Sequence, residues 1–344
     1  MSEVISQGFV VVLGMSVTAS AVILAVLAAR LCLRRMPSSY SYALWAAVGL
    51  RLICPVSLSA PFGLINGRPV PWDLAYMAQP RVDLGISGLN AAVNGSLPAA
   101  TPYASANPMQ IYLFLAALVW TAGLAVGLGT ALIGYGRLRW RLRGAVILEP
   151  GVYESERVGT PFVLGLFRPR VYLPTGMAES DRRLVLIHER AHIARGDPWV
   201  SLIGWVLRWV HWFNPLVWLA YNRMRRDMEI SCDERVARRM DRQARCDYAE
   251  GLVRAAGRQG FFGGLAFAEP PIGDRVRRVL HAKRPARWVA ICVGAALAAL
   301  TIFLLINAPS DRGMGSLAST GAIPARAVVS ESPTPVWIGR LRQM

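Results

Sequence analysis

The sequence predicts a mainly α-helical membrane protein with four transmembrane helices and an α+β domain on the cytoplasmic side. Three observations lead to this fold class. The chain is 54% hydrophobic, which is high for a soluble enzyme. Its apolar residues gather in runs of about 20 residues, the length that crosses a bilayer as a helix. Its net charge of +17 is concentrated beside these runs.

Four apolar runs are predicted to span the membrane. Only Glu3 is charged ahead of the first run, so a cleaved signal peptide, which needs a basic start, is a poor interpretation. The second run is interrupted by Arg51. The runs are residues 9–29, 40–60, 111–135 and 287–308.

The positions of the arginines predict the orientation, because basic residues near helix ends are retained in the cytoplasm. Residues 136–287 hold 28 basic and 16 acidic side chains, which is +12 of the net charge. The connection 61–108 is nearly neutral and rich in Pro, Gly, Asn, Ser and Ala. We therefore expect this connection and both termini outside the cytoplasm.

The chain is thus divided into four predicted parts. They are a membrane region over 1–136 that contains the outer loop 61–108, a cytoplasmic domain over 137–286, a fourth membrane helix over 287–308, and a flexible extracytoplasmic tail over 309–344.

A strongly basic chain can also bind nucleic acid. The sequence has no zinc-finger spacing, no aromatic RNA-binding pattern and no clear helix-turn-helix, so no direct nucleic-acid partner is predicted. The five cysteines are odd in number and contain no C-x-x-C spacing. A disulfide framework or a structural zinc ribbon is therefore not supported.

The stretch LVLIHERAHIARGD contains candidate metal-binding and catalytic residues. His188 and His192 are four residues apart, so on a helix both imidazoles lie on one face and can bind one metal ion. Glu189, beside the first histidine, can take a proton from a water at that metal. The pattern predicts a Zn²⁺ site of the HExxH type, with Glu189 as the catalytic acid/base. The competing interpretation is a helix that happens to place two histidines one turn apart.

A helix is expected here on independent grounds. Ser180 or Thr175 can cap its start, Glu179 suits its first turn, and Gly196 suits its end.

A third ligand is expected from a later helix, since catalytic zinc commonly has three protein ligands and one open position. Glu229 in RRDMEISCDERVARRM is the best candidate. Asp233, one turn further on the same face, can accept a hydrogen bond from a ligating histidine and fix its orientation. The alternatives nearby are Asp227, Glu234 and Cys232, and the acidic cluster can also simply balance its arginines. We expect Cys232 to pack in the interior.

Between the histidines and Glu229 lies an apolar stretch, 198–224. A single membrane crossing there would place Glu229 on the opposite side from the histidines, so the metal hypothesis requires a hairpin. Asn214-Pro215 interrupts the stretch and favours such a break. The hairpin is expected to dip into the membrane or to lie on it. His211, near its tip, is either a packed structural histidine, which we favour, or a group that helps in catalysis.

Upstream, VGTPFVLGLFRPRVYLP over 158–174 predicts two short strands with a turn around Gly165–Pro169. The exposed edge of such a hairpin can bind an extended peptide as an added strand. It can equally be a cover over the site, and the sequence does not separate these interpretations.

Four features together resemble one family: the four-helix topology, the GTPFVLGLFRPRVYLP hairpin, HERAHIARGD, and HWFNPLVW followed by EISCDE. The chain is similar over about 1–308 to the BlaR/MecR-type integral membrane zinc metallopeptidases, antirepressor proteins of beta-lactam sensing. The resemblance implies a zincin-like fold of the gluzincin type at a bacterial inner membrane. It also implies His188, His192 and Glu229 as zinc ligands and Glu189 as acid/base. The implied substrates are a cytoplasmic transcriptional repressor and the protein itself, and a homodimer is considered as an assembly.

The chain departs from full sensors of this family in one respect. Those end in a penicillin-binding domain whose nucleophile lies in S-x-x-K, whereas Lys283 is the single lysine here and Leu280 stands three residues before it. Beta-lactam acylation is therefore not carried over, and the natural signal is not identified.

The leading hypothesis is a membrane zinc endopeptidase that cleaves a cytoplasmic regulatory protein or itself. The alternative is a signalling receptor or scaffold with a structural zinc. A transporter is third, suggested by Arg51 in the second apolar run.

Overall fold

The computed structural model describes residues 2–54, 58–59, 70–71, 73–84, 87–99, 107–258, 271–282 and 287–307. The helices are α1 Ser2–Cys32, α2 Ser38–Ile53, α3 Ser87–Ser96, α4 Pro108–Arg141, α5 Glu179–Arg195, α6 Asp197–Val210, α7 Pro215–Ala237, α8 Arg242–Arg258, α9 Ile272–Leu280 and α10 Arg287–Leu305. The strands are β1 Leu58–Ser59, β2 Val146–Glu149, β3 Val152–Ser155, β4 Phe162–Leu164, β5 Arg170–Pro174 and β6 Ile306–Asn307. The predicted tail 309–344 and part of the predicted outer loop 61–108 lie outside the described residues.

Two helical segments within the described residues are long and apolar enough to cross a membrane. They are Glu3–Arg35, of 33 residues, and Pro108–Gly144, of 37 residues. The second predicted run forms α2, which has 16 residues, and the fourth contains α10, which has 19. The four-span topology therefore stays a prediction, while the mainly helical fold is confirmed.

Helices α1, α2 and α7 share one apolar core. Val22 and Ile23 of α1, Leu44 and Val48 of α2, and Val217 of α7 are all buried in it. A second cluster joins Val10 near the start of α1 to Leu74 and Val82 and to Met109 and Leu113 of α4. The amino-terminal helices thus pack directly against the helix that carries Glu229.

The predicted break at Asn214 is confirmed, because α6 and α7 form a helical hairpin. The Asn214 side chain accepts a hydrogen bond from the Leu216 amide and so begins α7. Its amide nitrogen lies 2.8 Å from the hydroxyl oxygens of both Ser16 and Ser20 on α1. The hairpin tip is therefore fixed to α1, and α6 and α7 run in opposite directions.

Helix α6 lies against α4 along two glycines. An added Cβ at Gly123 would overlap the ring of Trp212, and one at Gly127 would overlap the ring of Trp209. Trp120 donates its indole N–H to the carbonyl of Val210 at 2.9 Å. The missing side chains of the two glycines allow the tryptophan rings to reach the α4 backbone.

The sheet has four strands in the order β2-β3-β5-β4. Strands β4 and β5 form the predicted antiparallel hairpin, and Gly165 in its turn has a φ of +102°. Strands β2 and β3, which the sequence analysis did not identify, extend the sheet on the other side. Strand β4 is an edge, and the core side of the sheet packs on Leu186 of α5.

Helix α5 begins differently from the prediction. Ala178 occupies the N-cap position and no side chain caps the helix, so the expected capping by Ser180 or Thr175 is wrong. Ser180 lies inside the helix, where its side chain cannot reach the first free amides. The end is as expected, since Gly196 adopts a left-handed conformation with a φ of 74° and an ordinary side chain is disfavoured there.

Candidate metal centre and active site

Helix α5 places His188 and His192 side by side. Their Nε2 atoms lie 3.0 Å apart, and both residues are buried. The i, i+4 spacing on one helix produces this arrangement, as the sequence predicted.

Glu229 of α7 brings a carboxylate to the same point. Its Oε2 atom lies 3.5 Å from Nε2 of His188 and 3.5 Å from Nε2 of His192. Donor atoms bound tetrahedrally to zinc at 2.0–2.1 Å are separated by about 3.3 Å. The three donor atoms therefore fit a zinc ion with small adjustments.

Cys232 is a fourth side chain at this point. Its thiol and the two histidines place their ligand atoms within 4.8 Å of one another, and all three residues are buried. Glu229 and Cys232 are three residues apart on α7 and so lie on one face. The expectation that Cys232 only packs in the interior is thus incomplete, because the thiol is also within reach of a metal.

The second nitrogen of His188 contacts a buried polar network. Its Nδ1 atom lies 2.8 Å from the hydroxyl of Tyr248 and 3.1 Å from Oδ1 of Asp233. Tyr248 donates to Asp233 at 2.8 Å, and Arg275 donates to the other carboxylate oxygen at 2.6 Å. A proton on Nδ1 therefore has acceptors, which leaves Nε2 free to bind a metal.

His192 is oriented in the same way by a different carboxylate. Its Nδ1 atom lies 2.6 Å from Oδ2 of Asp197. Asp197 is the first residue of α6 and follows the glycine that ends α5. The Nδ1 atom of each histidine thus contacts a carboxylate, and both Nε2 atoms face Glu229.

The carboxylates make the site strongly attractive to positive charge. Burial alone would lower the pKa of both histidines, but Asp233 and Glu229 raise the pKa of His188 to about 10. Hydrogen bonding to Asp197 raises the pKa of His192 to about 12 against the same burial effect. Burial would raise the pKa of Glu229, yet the two histidines hold it well below its usual value. The negative charge of the same carboxylates would also attract a metal cation.

Glu189 lies beside the histidines and lines a large cavity. Burial raises the pKa of its carboxyl group, an effect that His188 and His192 partly offset. The cavity measures about 1010 Å³ and also borders His188, His192 and Glu229. The carboxylate therefore stands where the metal donors and the cavity meet.

The edge strand β4 forms one wall of this cavity. Phe162, Val163 and Leu164 all line it, as do Tyr135 and Leu138 near the end of α4. Helices α7 and α8 also line the cavity, through residues such as Met228 and Leu252. The cavity thus lies between a strand edge and the metal donors.

His211 is separate from the metal centre. It is fully buried at the tip of the α6–α7 hairpin, where Nε2 lies 3.3 Å from the carbonyl of Leu52. The length of α6 puts it about 20 Å from Asp197, and of the described residues, those lining the cavity do not include it. The structure therefore favours the structural role for His211.

The other acidic alternatives are bound elsewhere. Asp227 accepts two hydrogen bonds from Arg30 of α1, at 2.6 and 2.8 Å, and one from the indole of Trp45. Glu234 accepts from the backbone and hydroxyl of Ser38 and from Arg278. Both carboxylates connect α7 to the amino-terminal helices.

Three residues of the site were not identified from the sequence: Asp197, Tyr248 and Arg275. Asp197 had a local signal, since it ends the HERAHIARGD stretch directly after the glycine. Tyr248 and Arg275 lie on α8 and α9, and no spacing relates them to the histidines.

Comparison with protein families matches residues 10–277 to the family described as BlaR1 peptidase M56. The match covers most of the chain. The chain belongs to this family. The family is one of peptidases, and the two candidate membrane helices and the histidine pair agree with a membrane metallopeptidase of the BlaR/MecR type.

Two kinds of relative are similar to part of the chain. A segment of 104 residues is 32% identical to "Regulatory protein BlaR1" of Bacillus licheniformis and covers 29% of this chain and 17% of that protein. A segment of 106 residues is 26% identical to "Methicillin resistance mecR1 protein" of Staphylococcus aureus, covering 30% of this chain and 18% of that protein. These aligned segments span less than a fifth of the relatives' length.

Proposed function

We propose that this M56 chain is an integral membrane zinc endopeptidase with its active site at the cytoplasmic face. The observation that carries the proposal is the convergence of three donor atoms beside a cavity. These are Nε2 of His188, Nε2 of His192 and Oε2 of Glu229, separated by 3.0 to 3.5 Å. Asp233 and Asp197 orient the two imidazoles from behind.

Glu189 is the acid/base of the proposed reaction. When bound, Zn²⁺ would polarise the scissile carbonyl and lower the pKa of the attacking water. Glu189 accepts the proton that this water loses and passes it to the amine nitrogen as the peptide C–N bond breaks. Its raised pKa suits this exchange, because a carboxyl group that titrates closer to neutral pH both accepts and returns a proton readily.

Strand β4 is the proposed binding edge for the substrate. It hydrogen-bonds β5 along one side only among the described strands, and its three residues line the cavity. An extended peptide can pair with the free side of such an edge through its backbone. This mode accepts many sequences, so cavity-facing side chains would select among them.

Helices α4 and α6 support the proposed membrane location. Helix α4 lies within one of the two candidate membrane spans. Trp209 of α6 lies against its Gly127, and Trp212, just after α6, lies against its Gly123. Tyr135 and Leu138 near the end of α4 line the cavity, which supports a site at that end of the span, and we propose that this end is cytoplasmic. We therefore propose that the α6–α7 hairpin enters the bilayer from the cytoplasm and returns, in a four-span protein with both termini outside.

The proposed substrate is a cytoplasmic regulatory protein of the repressor type, or an extended segment of the chain itself. The proposed partners are this substrate and the lipid bilayer, with a homodimer as a further assembly and no direct nucleic-acid contact. The family and the relatives named for BlaR1 and mecR1 support this assignment.

Replacing Glu189 with glutamine tests the proposal. The amide cannot accept the proton, so cleavage should fall by at least about 100-fold while zinc is retained. N-terminal mapping of cytoplasmic proteins in cells carrying each variant, with zinc measured in the purified proteins, gives the readout. The control is Glu179→Gln, at an exposed position on the same helix. Equal cleavage by the Glu189→Gln and wild-type proteins would contradict the proposal.

A second candidate function is a non-proteolytic signalling protein with a structural zinc. The position of Cys232 favours it, since a thiol added to the two histidines and Glu229 makes four protein ligands. A shell closed by four protein ligands is typical of structural zinc, whereas a catalytic site keeps one position open. The number of ligands therefore separates the two candidates.

A further inference from the structure

Tyr42 of α2 contacts a carboxylate that orients one of the histidines of the metal centre. Its hydroxyl donates to Oδ1 of Asp197 at 3.0 Å. The other oxygen of that carboxylate, Oδ2, lies 2.6 Å from Nδ1 of His192. One carboxylate thus separates a residue of a predicted membrane helix from a proposed metal ligand.

Both carboxylate oxygens of Asp197 are held by neighbouring side chains. Arg195 donates to Oδ1 at 3.2 and 3.3 Å, on the same oxygen that receives the Tyr42 hydroxyl. Arg195 also contacts Oδ2, at 3.1 Å. The residue is 2% exposed, so water does not compete for these positions. Holding Oδ1 fixes the rotation of the carboxylate and keeps Oδ2 directed at His192.

The hydroxyl and the ring of Tyr42 make separate contacts, so their roles can be tested separately. The guanidinium of Arg195 lies over the ring, 4.9 Å from its centre, and phenylalanine would preserve this contact. Packing alone therefore explains an aromatic residue at position 42, whereas the hydrogen bond requires the hydroxyl.

Contacts with α1 and α7 fix the position of helix α2 beside the site. Leu44 and Val48 pack against α1 and α7, and the amide of Ser38, at the start of α2, donates to Glu234 of α7 at 2.9 Å. The far end of α2 leads toward the predicted outer loop. A displacement of α2 would therefore move the Tyr42 hydroxyl relative to Asp197, which begins a different helix.

We infer that Tyr42 is a positioning residue through which helix α2 sets the orientation of His192. The inference rests on the proposed function only in taking His192 as a metal ligand. Removing the hydrogen-bond partner of a metal-binding histidine lowers metal affinity by about 10- to 100-fold. Tyr42 acts one bond further away, so a smaller effect is expected.

Cobalt binding to the full-length protein in detergent tests this inference. Metal is removed with a chelator, Co²⁺ is titrated, and affinity and visible absorption are measured for wild type, Tyr42→Phe, Asp197→Asn and the double variant. Tyr42→Phe should weaken Co²⁺ binding about 3- to 10-fold and shift the absorption bands, and Asp197→Asn about 10- to 100-fold. The double variant should bind no more weakly than Asp197→Asn, because both act through one path.

The control is Tyr112→Phe, at an exposed position on α4, which should bind Co²⁺ as wild type does. Thermal unfolding of the metal-free proteins verifies that each variant is folded. Unchanged affinity and absorption in Tyr42→Phe would overturn the inference, and so would losses that multiply in the double variant. These outcomes are independent of the Glu189→Gln cleavage test, so a failure of either proposal is recognised separately.

Discussion

Glu229 and Cys232 approach the two histidines from one face of α7, and they differ in what each does to a zinc ion. A carboxylate leaves more positive charge on the metal than a thiolate, so it supports a stronger Lewis acid. The Oε2 atom of Glu229 is 3.5 Å from both Nε2 atoms. We therefore propose Glu229, rather than Cys232, as the third ligand.

Replacing Cys232 with serine tests that assignment. If the thiol does not bind the metal, the Co²⁺-substituted variant should keep the wild-type spectrum, and its affinity should change less than about threefold. Glu229→Gln should weaken Co²⁺ binding by more than about 100-fold, since an uncharged amide binds a divalent cation much more weakly than a carboxylate does. An intense near-ultraviolet sulfur-to-cobalt band in wild type that disappears in Cys232→Ser would instead indicate a closed shell and favour the structural role.

Among the elements, α7 connects the metal centre to the rest of the molecule. It presents Glu229 and Asp233 to the site, and on neighbouring positions Asp227 binds Arg30 and Glu234 binds Ser38. Breaking a buried ion pair by removing one partner costs about 3 to 5 kcal/mol, because the remaining charge stays buried. These acids therefore hold α7 in one position relative to α1 and α2.

The contact of α4 with α6 depends on Gly127. A methyl group there would overlap the ring of Trp209, so Gly127→Ala should lower the free energy of unfolding by about 1 to 3 kcal/mol. Gly129→Ala is the matched control, since an added Cβ at Gly129 has nothing within 4 Å, and its effect should be neutral or stabilising by up to about 1 kcal/mol. Unfolding in detergent measures both. Equal stability of the two variants would show that the tryptophan ring does not need this glycine.

For the whole molecule, the ends of two helices support the proposed topology. Strand β1, after α2, pairs in parallel with β6, after α10. The ends of α2 and α10 are thus adjacent, as expected if both helices leave the membrane on the same side. Leu300 of α10 also packs against the core shared by α1, α2 and α7.

Labelling from outside the cell tests this topology. Ser96 and Gln243 are exposed, and the topology places them on opposite sides of the membrane. In a background with the exposed Cys32, Cys54 and Cys292 changed to serine, Ser96→Cys should react with an impermeant thiol reagent in intact cells. Gln243→Cys should react only after the cells are broken. The reverse pattern would exclude the proposed orientation.

Local spacing accounts for the parts of the site that the sequence predicted. His188 and His192 needed only a helix to meet, and the break at Asn214 was required if Glu229 was to join them. The β4–β5 hairpin was predicted from its strand and turn residues. Each of these depends on contacts within a short stretch of chain or on a single steric rule.

Tertiary packing accounts for the parts that the sequence did not predict. Tyr248 contacts His188 and Arg275 contacts Asp233 from two further helices, and no periodicity encodes which helices become neighbours. Strands β2 and β3, with the sequences VILE and VYES, show no alternation of apolar and polar residues that would identify them. The predicted capping of α5 was wrong because that helix begins without any capping side chain.

The distribution of the site over α5, α7, α8 and α9 has a consequence for biosynthesis. A ribosome produces the two histidines first, then Glu229, then Tyr248, and Arg275 last of these. Domains made in this order fold only when their parts have emerged. The carboxylate of Asp233 obtains its arginine partner only after α9 is made, so the nascent peptidase lacks part of its ligand support until translation has passed that helix.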